Sequence, residues 1–265
     1  MKNTVPGMLL LLVLGFGCTE KTASPEYLNS FPMENGTQWV YDLVSVMQEL
    51  EHEGSDKIIA SDTFAQQILS VWIAKDTVLN DTLPVKQFLS RMNNAPLLME
   101  NYYRIDESGL WAVAYRNPGA PFLKKGTGSV AAPMYYSLFG SSNKVMDNSL
   151  HIYEEPRLAL KFPLNLEVEW NYGTEEGLVD FRLDKKVSAF ESVDLGHASA
   201  LAFRIEYLYP PDSFFDDFEV KDWVSEQGLI KRIDVINGVQ MDFDGEFIGT
   251  YRLTNTLTLR KLELK

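Results

Sequence analysis

The stretch from Leu229 to the carboxyl end constrains the fold more than any other. It reads LIKRIDVI, the pair Asn237-Gly238, VQMDF, the pair Asp244-Gly245, then EFIGTYRL and TNTLTLRKLEL. Apolar and polar residues alternate through these runs, the period at which a strand buries one face and wets the other. Each Xaa-Gly pair supplies the positive φ that a two-residue hairpin needs. An antiparallel meander is therefore expected here.

A second feature extends this reading to the rest of the chain. FPMENGTQWVY, residues 31–41, returns as FPLNLEVEWNY, residues 162–172, with Phe, Pro, Trp and Tyr at the same spacing. In the first copy Trp39, Tyr41 and Leu43 fall on one strand face. Phe31-Pro32 fixes an extended entry, and Asn35-Gly36 supplies a turn. In the second copy Trp170 and Tyr172 again share a face. A looser echo follows each, DESGLWAVAY around Gly109-Leu110 and SEQGLIKRI around Gly228-Leu229. Two echoes in the same order predict two similar halves, residues 31–116 and 157–265, within one β domain over 31–265. Between them, residues 117–156 read as a long connection carrying a strand or two, because NPGAP, KKGTGS, GSSN and EEP punctuate it.

Helix signals are few. Val85, Phe88, Leu89 and Met92 stand at i, i+3, i+4 and i+7, which predicts one short helix over 85–92. The expected fold class is mostly β: an antiparallel curved sheet or half-barrel built from two similar halves, with one or few short helices. The repeated Trp and Tyr residues have two readings, an aromatic platform for sugar or lipid and anchorage of the core. Burying one such ring removes about 150–250 Å² from water, worth on the order of 4–6 kcal/mol at about 25 cal/mol/Å². Anchorage alone accounts for the motif.

The amino terminus carries a different message. Met8 to Phe16 is an apolar run too short to cross a bilayer but suited to the core of an export signal. Cys18, the single cysteine, follows directly. The arrangement resembles a bacterial lipoprotein signal, in which the peptide over 1–17 is removed and the new terminal Cys18 is acylated. Gly17 fits the small residue before the cut, whereas Gly15 and Phe16 depart from the usual pattern. Residues 18–30, small and polar, read as a flexible tether. Acyl chains on Cys18 hold a protein to a membrane, since each buried CH₂ contributes about 0.8 kcal/mol. The expected address is the cell envelope, lipid-anchored, on the outer rather than the inner membrane.

The opening FPMENGTQWVYDL, the segment LKFPLNLEVEW, and GHASALAFRIEYL followed by DWVSEQGLIKRI are together similar to a family of uncharacterised exported bacterial lipoproteins. These motifs cover most of residues 31–236. Val168 and Glu169 stand where that family has a Gly before the second Trp. The resemblance implies an envelope protein with antiparallel β structure, related in fold to the curved sheets of periplasmic lipoprotein carriers. It implies no catalytic residues.

Charge and side-chain chemistry narrow the functions further. With 37 acidic against 24 basic residues and a formal charge of −13, the chain lacks the basic surface that nucleic acid requires. His52, His151 and His197 stand far apart without metal-binding spacing, and neither a nucleophile elbow nor a phosphate loop is present. No catalytic residue, metal site or cofactor is expected. The acids of PPDSFFDDFEVKD (Asp212, Asp216, Asp217, Glu219 and Asp222) read as loop carboxylates, with calcium as the alternative. Phe214, Phe215 and Phe218 in the same segment either rim a ligand mouth or fold over a sheet edge. Asp76-Thr77-Val78 and Asp81-Thr82-Leu83 resemble bacterial O-glycosylation sites; exposed loop threonines are the alternative. The expected role is non-catalytic binding of an apolar ligand or a partner envelope protein. A structural or assembly component is the second reading and a hydrolase the third.

Overall fold

A computed structural model of the chain describes residues 27–52, 62–93, 98–116, 122–125, 128–131, 148–175, 181–211, 213, 215, 217–243 and 246–265. The regular structure is β throughout, and no helix occurs among the described residues. The first set of strands comprises β1 (Gln38–His52), β2 (Asp62–Leu79), β3 (Leu83–Met92), β4 (Met99–Asp106), β5 (Gly109–Arg116), the short β6 (Phe122–Lys125) and β7 (Gly128–Ala131), and β8 (His151–Lys161). The second comprises β9 (Glu169–Glu175), β10 (Phe181–Asp194), β11 (Ser199–Leu208), β12 (Phe218–Ser225), β13 (Gly228–Phe243) and β14 (Glu246–Glu263).

The strands join one antiparallel sheet in the order β8-β5-β4-β3-β2-β1-β14-β13-β12-β11-β10-β9, with the β6–β7 hairpin attached to β13. The second set is an up-and-down meander, and so is the first except that the β6–β7 excursion to β13 separates β5 from its neighbour β8. The two meanders meet in the long β1–β14 ladder, from Gln38 opposite Glu263 to His52 opposite Gly249. The sheet curves until its two ends, β8 and β9, lie side by side. There the contact is made by side chains: Trp170 Nε1 donates to Leu158 O (2.9 Å) and Lys161 Nζ to Glu169 O (3.3 Å). The result is a nearly closed barrel with one laddered junction and one seam.

Alternation explains what fills it. Trp39, Tyr41 and Leu43 turn inward from β1, stacked on Phe31 (5.5 Å from Trp39) and Phe88 (6.1 Å from Trp39). The two copies of the repeated phrase dock crosswise. Trp39 Nε1 donates to Gln227 O (2.7 Å) and Tyr41 OH to Leu229 O (2.9 Å), so the first phrase grips the β12–β13 turn of the other half. Phe162 N donates to Ser108 O (2.9 Å), so the second phrase meets the β4–β5 turn of the first half. Each clasp is completed by the opposite meander.

Four expectations need correction. Residues 85–92 are part of β3, not a helix. On a strand Val85 and Leu89 face one way and Phe88 and Met92 the other: Val85 joins a small cluster with Leu79 and Tyr102, while Phe88 and Met92 enter the main core. The apparent helical stripe was apolar residues shared between two faces of a strand, one well buried around Phe88 and Met92 and the other only partly buried around Val85 and Leu89. Asn237-Gly238 does not end a strand either; β13 runs through it. The register passes from Ile236↔Leu253 to Val239↔Tyr251, so these two residues oppose one and form a bulge with Gly238 at φ +70°. The second pair, Asp244-Gly245, lies outside the described residues; β13 and β14 pair as far as Phe243↔Glu246. EFIGTYRL and TNTLTLRKLEL are a single strand, β14. The expected connection over 117–156 holds β6 and β7, and β8 already begins at His151.

Candidate functional site

The second meander carries polar residues on its inner face. In β10, Lys185 shares its parity with buried Leu183 and Val187; in β13, Arg232 and Asp234 share theirs with Ile230 and Ile236; in β14, Asn255 sits between Leu253 and Leu257. Facing the core commits these polar groups to it, and cross-strand register then brings them together. Lys185 is opposite Tyr207, Asp222 opposite Arg232, and Asp234 opposite Asn255. Arg232 clamps Asp222 with Nε to Oδ1 at 2.6 Å and Nη2 to Oδ2 at 2.8 Å. Tyr207 OH donates to Asp222 Oδ2 (2.8 Å) and accepts from Lys185 Nζ (3.0 Å). Lys185 Nζ also donates to Ala159 O across the seam (3.1 Å) and lies 4.6 Å and 4.2 Å from the ring centres of Tyr172 and Tyr207. Asn255 Nδ2 donates to Asp234 Oδ2 (2.8 Å).

Burial dominates the electrostatics. Loss of water lowers the Lys185 ammonium to a pKa of about 7, opposed by Asp222 and reinforced by Arg232. Burial likewise raises the Asp234 carboxyl to about 7, against the Asn255 hydrogen bond and the Arg232 charge. Tyr207 is pushed well above the usual phenol range, first by burial and then by Asp222. Such groups have the proton affinities of acid–base catalysts, but catalysis also requires substrate within hydrogen-bond reach. Lys185 is 0% and Asp222 1% exposed. In this sealed interior they act on the fold.

Access exists at the barrel rim beside β9. A cleft of about 570 Å³ is lined by Trp170, Leu208, Tyr209, Pro210 and Pro211 on its apolar side. Its polar side is a fixed group: Asp184 accepts from Asn171 Nδ2 (2.8 Å) and is paired with Arg182 Nη2 (3.0 Å). Tyr209 joins cleft and interior. It lines the cleft and stacks on Phe215 (5.5 Å), while its hydroxyl is buried without a hydrogen-bond partner among the described residues.

Phe215 and Phe218 are buried core residues, edge-on to one another at 5.4 Å, and both hold Tyr209. Phe214 and Cys18 lie outside the described residues, as do Asp212 and Asp216. Asp222 is not a loop acid: β12 turns it inward to Arg232, away from exposed Asp217 and Glu219. No group of acids, histidines or cysteines able to hold a metal occurs among the described residues. His151 shares a hydrogen bond with Ser149 and stacks on Tyr115, and His197 bonds Leu195 O. Sequence reasoning missed the interior network and the Trp170–Tyr209 cleft. The signal for the former was present, because Arg232 and Asp234 alternate in step with Ile230 and Ile236. The cleft is lined from β9, β10 and the residues that end and follow β11, which only strand pairing brings together. The chain matches no family model, no curated protein and no solved structure.

Proposed function

We propose that the chain is a lipid-anchored protein of the bacterial envelope that works by binding an apolar ligand or a partner envelope protein, without catalysis. The observation that carries this reading is the rim cleft. Its volume of about 570 Å³ falls within the usual range for small-molecule sites, and it joins a Trp, Tyr and Pro floor to an ordered Asn171–Asp184–Arg182 edge. Such a surface favours an elongated apolar body with one polar end. The resemblance of the amino-terminal segment to lipoprotein signals supplies the anchor, at Cys18.

A second reading, an assembly component without ligand, is favoured by the interior itself. Trp39, Tyr41, Tyr103, Lys185 and Arg232 are almost completely buried, so the barrel holds its own side chains where a carrier would hold cargo. Native mass spectrometry of the protein extracted from its own host separates the two. The binding reading expects an added mass that is lost on Tyr209→Ala, with the fold checked by circular dichroism. A bare protein overturns the ligand and leaves the assembly role.

A further inference from the structure

We propose that the face through which the chain enters the barrel rests on a zwitterionic lipid bilayer, as a non-covalent contact beside the acyl anchor; this rests on the lipid-anchored reading above. Leu28 makes the entry, pairing with Leu164 through backbone hydrogen bonds of 2.9 and 2.8 Å. Around it opens a second cleft, about 420 Å³, whose apolar wall includes Leu28, Phe190, Phe203, Leu201 and Val224. Three of the exposed large apolar side chains belong to residues that flank the Leu28–Leu164 pair or line its cleft. Tyr27 (54% exposed) immediately precedes Leu28, Leu166 (54%) lies two residues past Leu164, and Leu201 (43%) stands in the cleft wall.

The tether decides what covers them. Tyr27 follows Cys18 at so short an interval that the two can stand no more than about 30 Å apart. The entry face is thus held within reach of the membrane that takes the acyl chains. Anchoring makes the second contact intramolecular, at an effective concentration on the order of millimolar, so a weak apolar contact is enough. Tyr27 adds a ring with a polar tip, which suits the headgroup boundary. The nearby charges choose among lipids. Glu226 lines the cleft, and the Glu167 side chain is 71% exposed although paired with Lys186 at 2.8 Å. An acidic border is repelled by an anionic surface and tolerates a zwitterionic one.

The test uses the full acylated chain in phosphatidylcholine vesicles, with an environment-sensitive fluorophore attached at Leu166→Cys, Leu201→Cys or Ile152→Cys. An acylated Cys18 offers no thiol to compete. Ile152 is exposed near the opposite end of β8, about 30 Å along the strand from the entry. Lipids carrying doxyl quenchers are expected to quench the labels at 166 and 201 at least threefold more than the label at 152. Replacing half the lipid with phosphatidylglycerol at low salt should lower that quenching. Equal quenching at all three positions overturns the docking face, and quenching that rises with phosphatidylglycerol overturns the lipid assignment. An intact mass without acyl chains overturns the anchor itself, and it is read before any vesicle is made.

Discussion

Asp234 and Lys185 place opposite demands on the interior as pH changes. An unfolded Asp loses its proton near pH 4, whereas folded Asp234 loses it at about 7. Between those values only the folded chain holds the proton, so this group's stabilising contribution falls as pH rises and is gone above about 7. Lys185 behaves in the other direction. From about pH 7 to about 10.4 only the unfolded chain holds its proton, and stability rises through that window. Asp234→Asn should therefore stabilise the protein at pH 8 to 9, by an amount on the order of 4 kcal/mol at most, and the gain should vanish near pH 4. Urea unfolding of both proteins across pH measures this; a variant no more stable than the parent at pH 9 would show that Asp234 ionises freely. The parity of these residues was legible in the sequence. Their partners were not, because Asp222, Tyr207 and Lys185 meet only through cross-strand register, which a bulge such as that between Val187 and Ala189 can reset.

The two turns that receive the repeated phrase depend on glycine for space. A Cβ on Gly109 would stand 2.1 Å from Leu160 O and 2.6 Å from Leu158 Cδ1. On Gly228, at φ +93°, it would stand 2.9 Å from Trp39 Nε1 and 3.0 Å from the Phe31 ring. Gly196, at φ +82°, has nothing within 4 Å of such a Cβ. Gly109→Ala should then cost several kcal/mol, while Gly196→Ala should cost only the left-handed backbone penalty of about 1–2 kcal/mol. Equal losses in thermal and urea unfolding would show that the crosswise clasp is loosely fitted. At this scale the sequence was read correctly where a turn is two residues and its flanking runs alternate, as at Gly109 and Gly228. It was misread at β3, where apolar residues on both faces imitate helical spacing, and at Asn237-Gly238, where one Xaa-Gly pair serves equally as a turn or a bulge.

Across the whole molecule, closure differs between the two junctions. Between β1 and β14 the backbones are laddered along their length, whereas β8 and β9 are joined by the Trp170 indole, the Lys161 amine and Arg157, whose Cγ lies 3.1 Å from where a Gly173 Cβ would be, with Lys185 of β10 reaching across to Ala159 O. Unladdered amides open to water at lower cost. Hydrogen exchange followed by mass spectrometry should show β8 and β9 exchanging well before β1 and β14, and Trp170→Phe should widen the gap; uniform protection would mean that the seam is laddered in solution. The laddered junction also sets a timetable. Gln38 pairs with Glu263, and the Trp39 indole donates its hydrogen bond to Gln227 O in the β12–β13 turn. A ribosome must therefore release the chain through Glu263 before the first strand acquires its last neighbour. Until that moment one edge of β1 stays open, and afterwards the first and last strands are locked into one another.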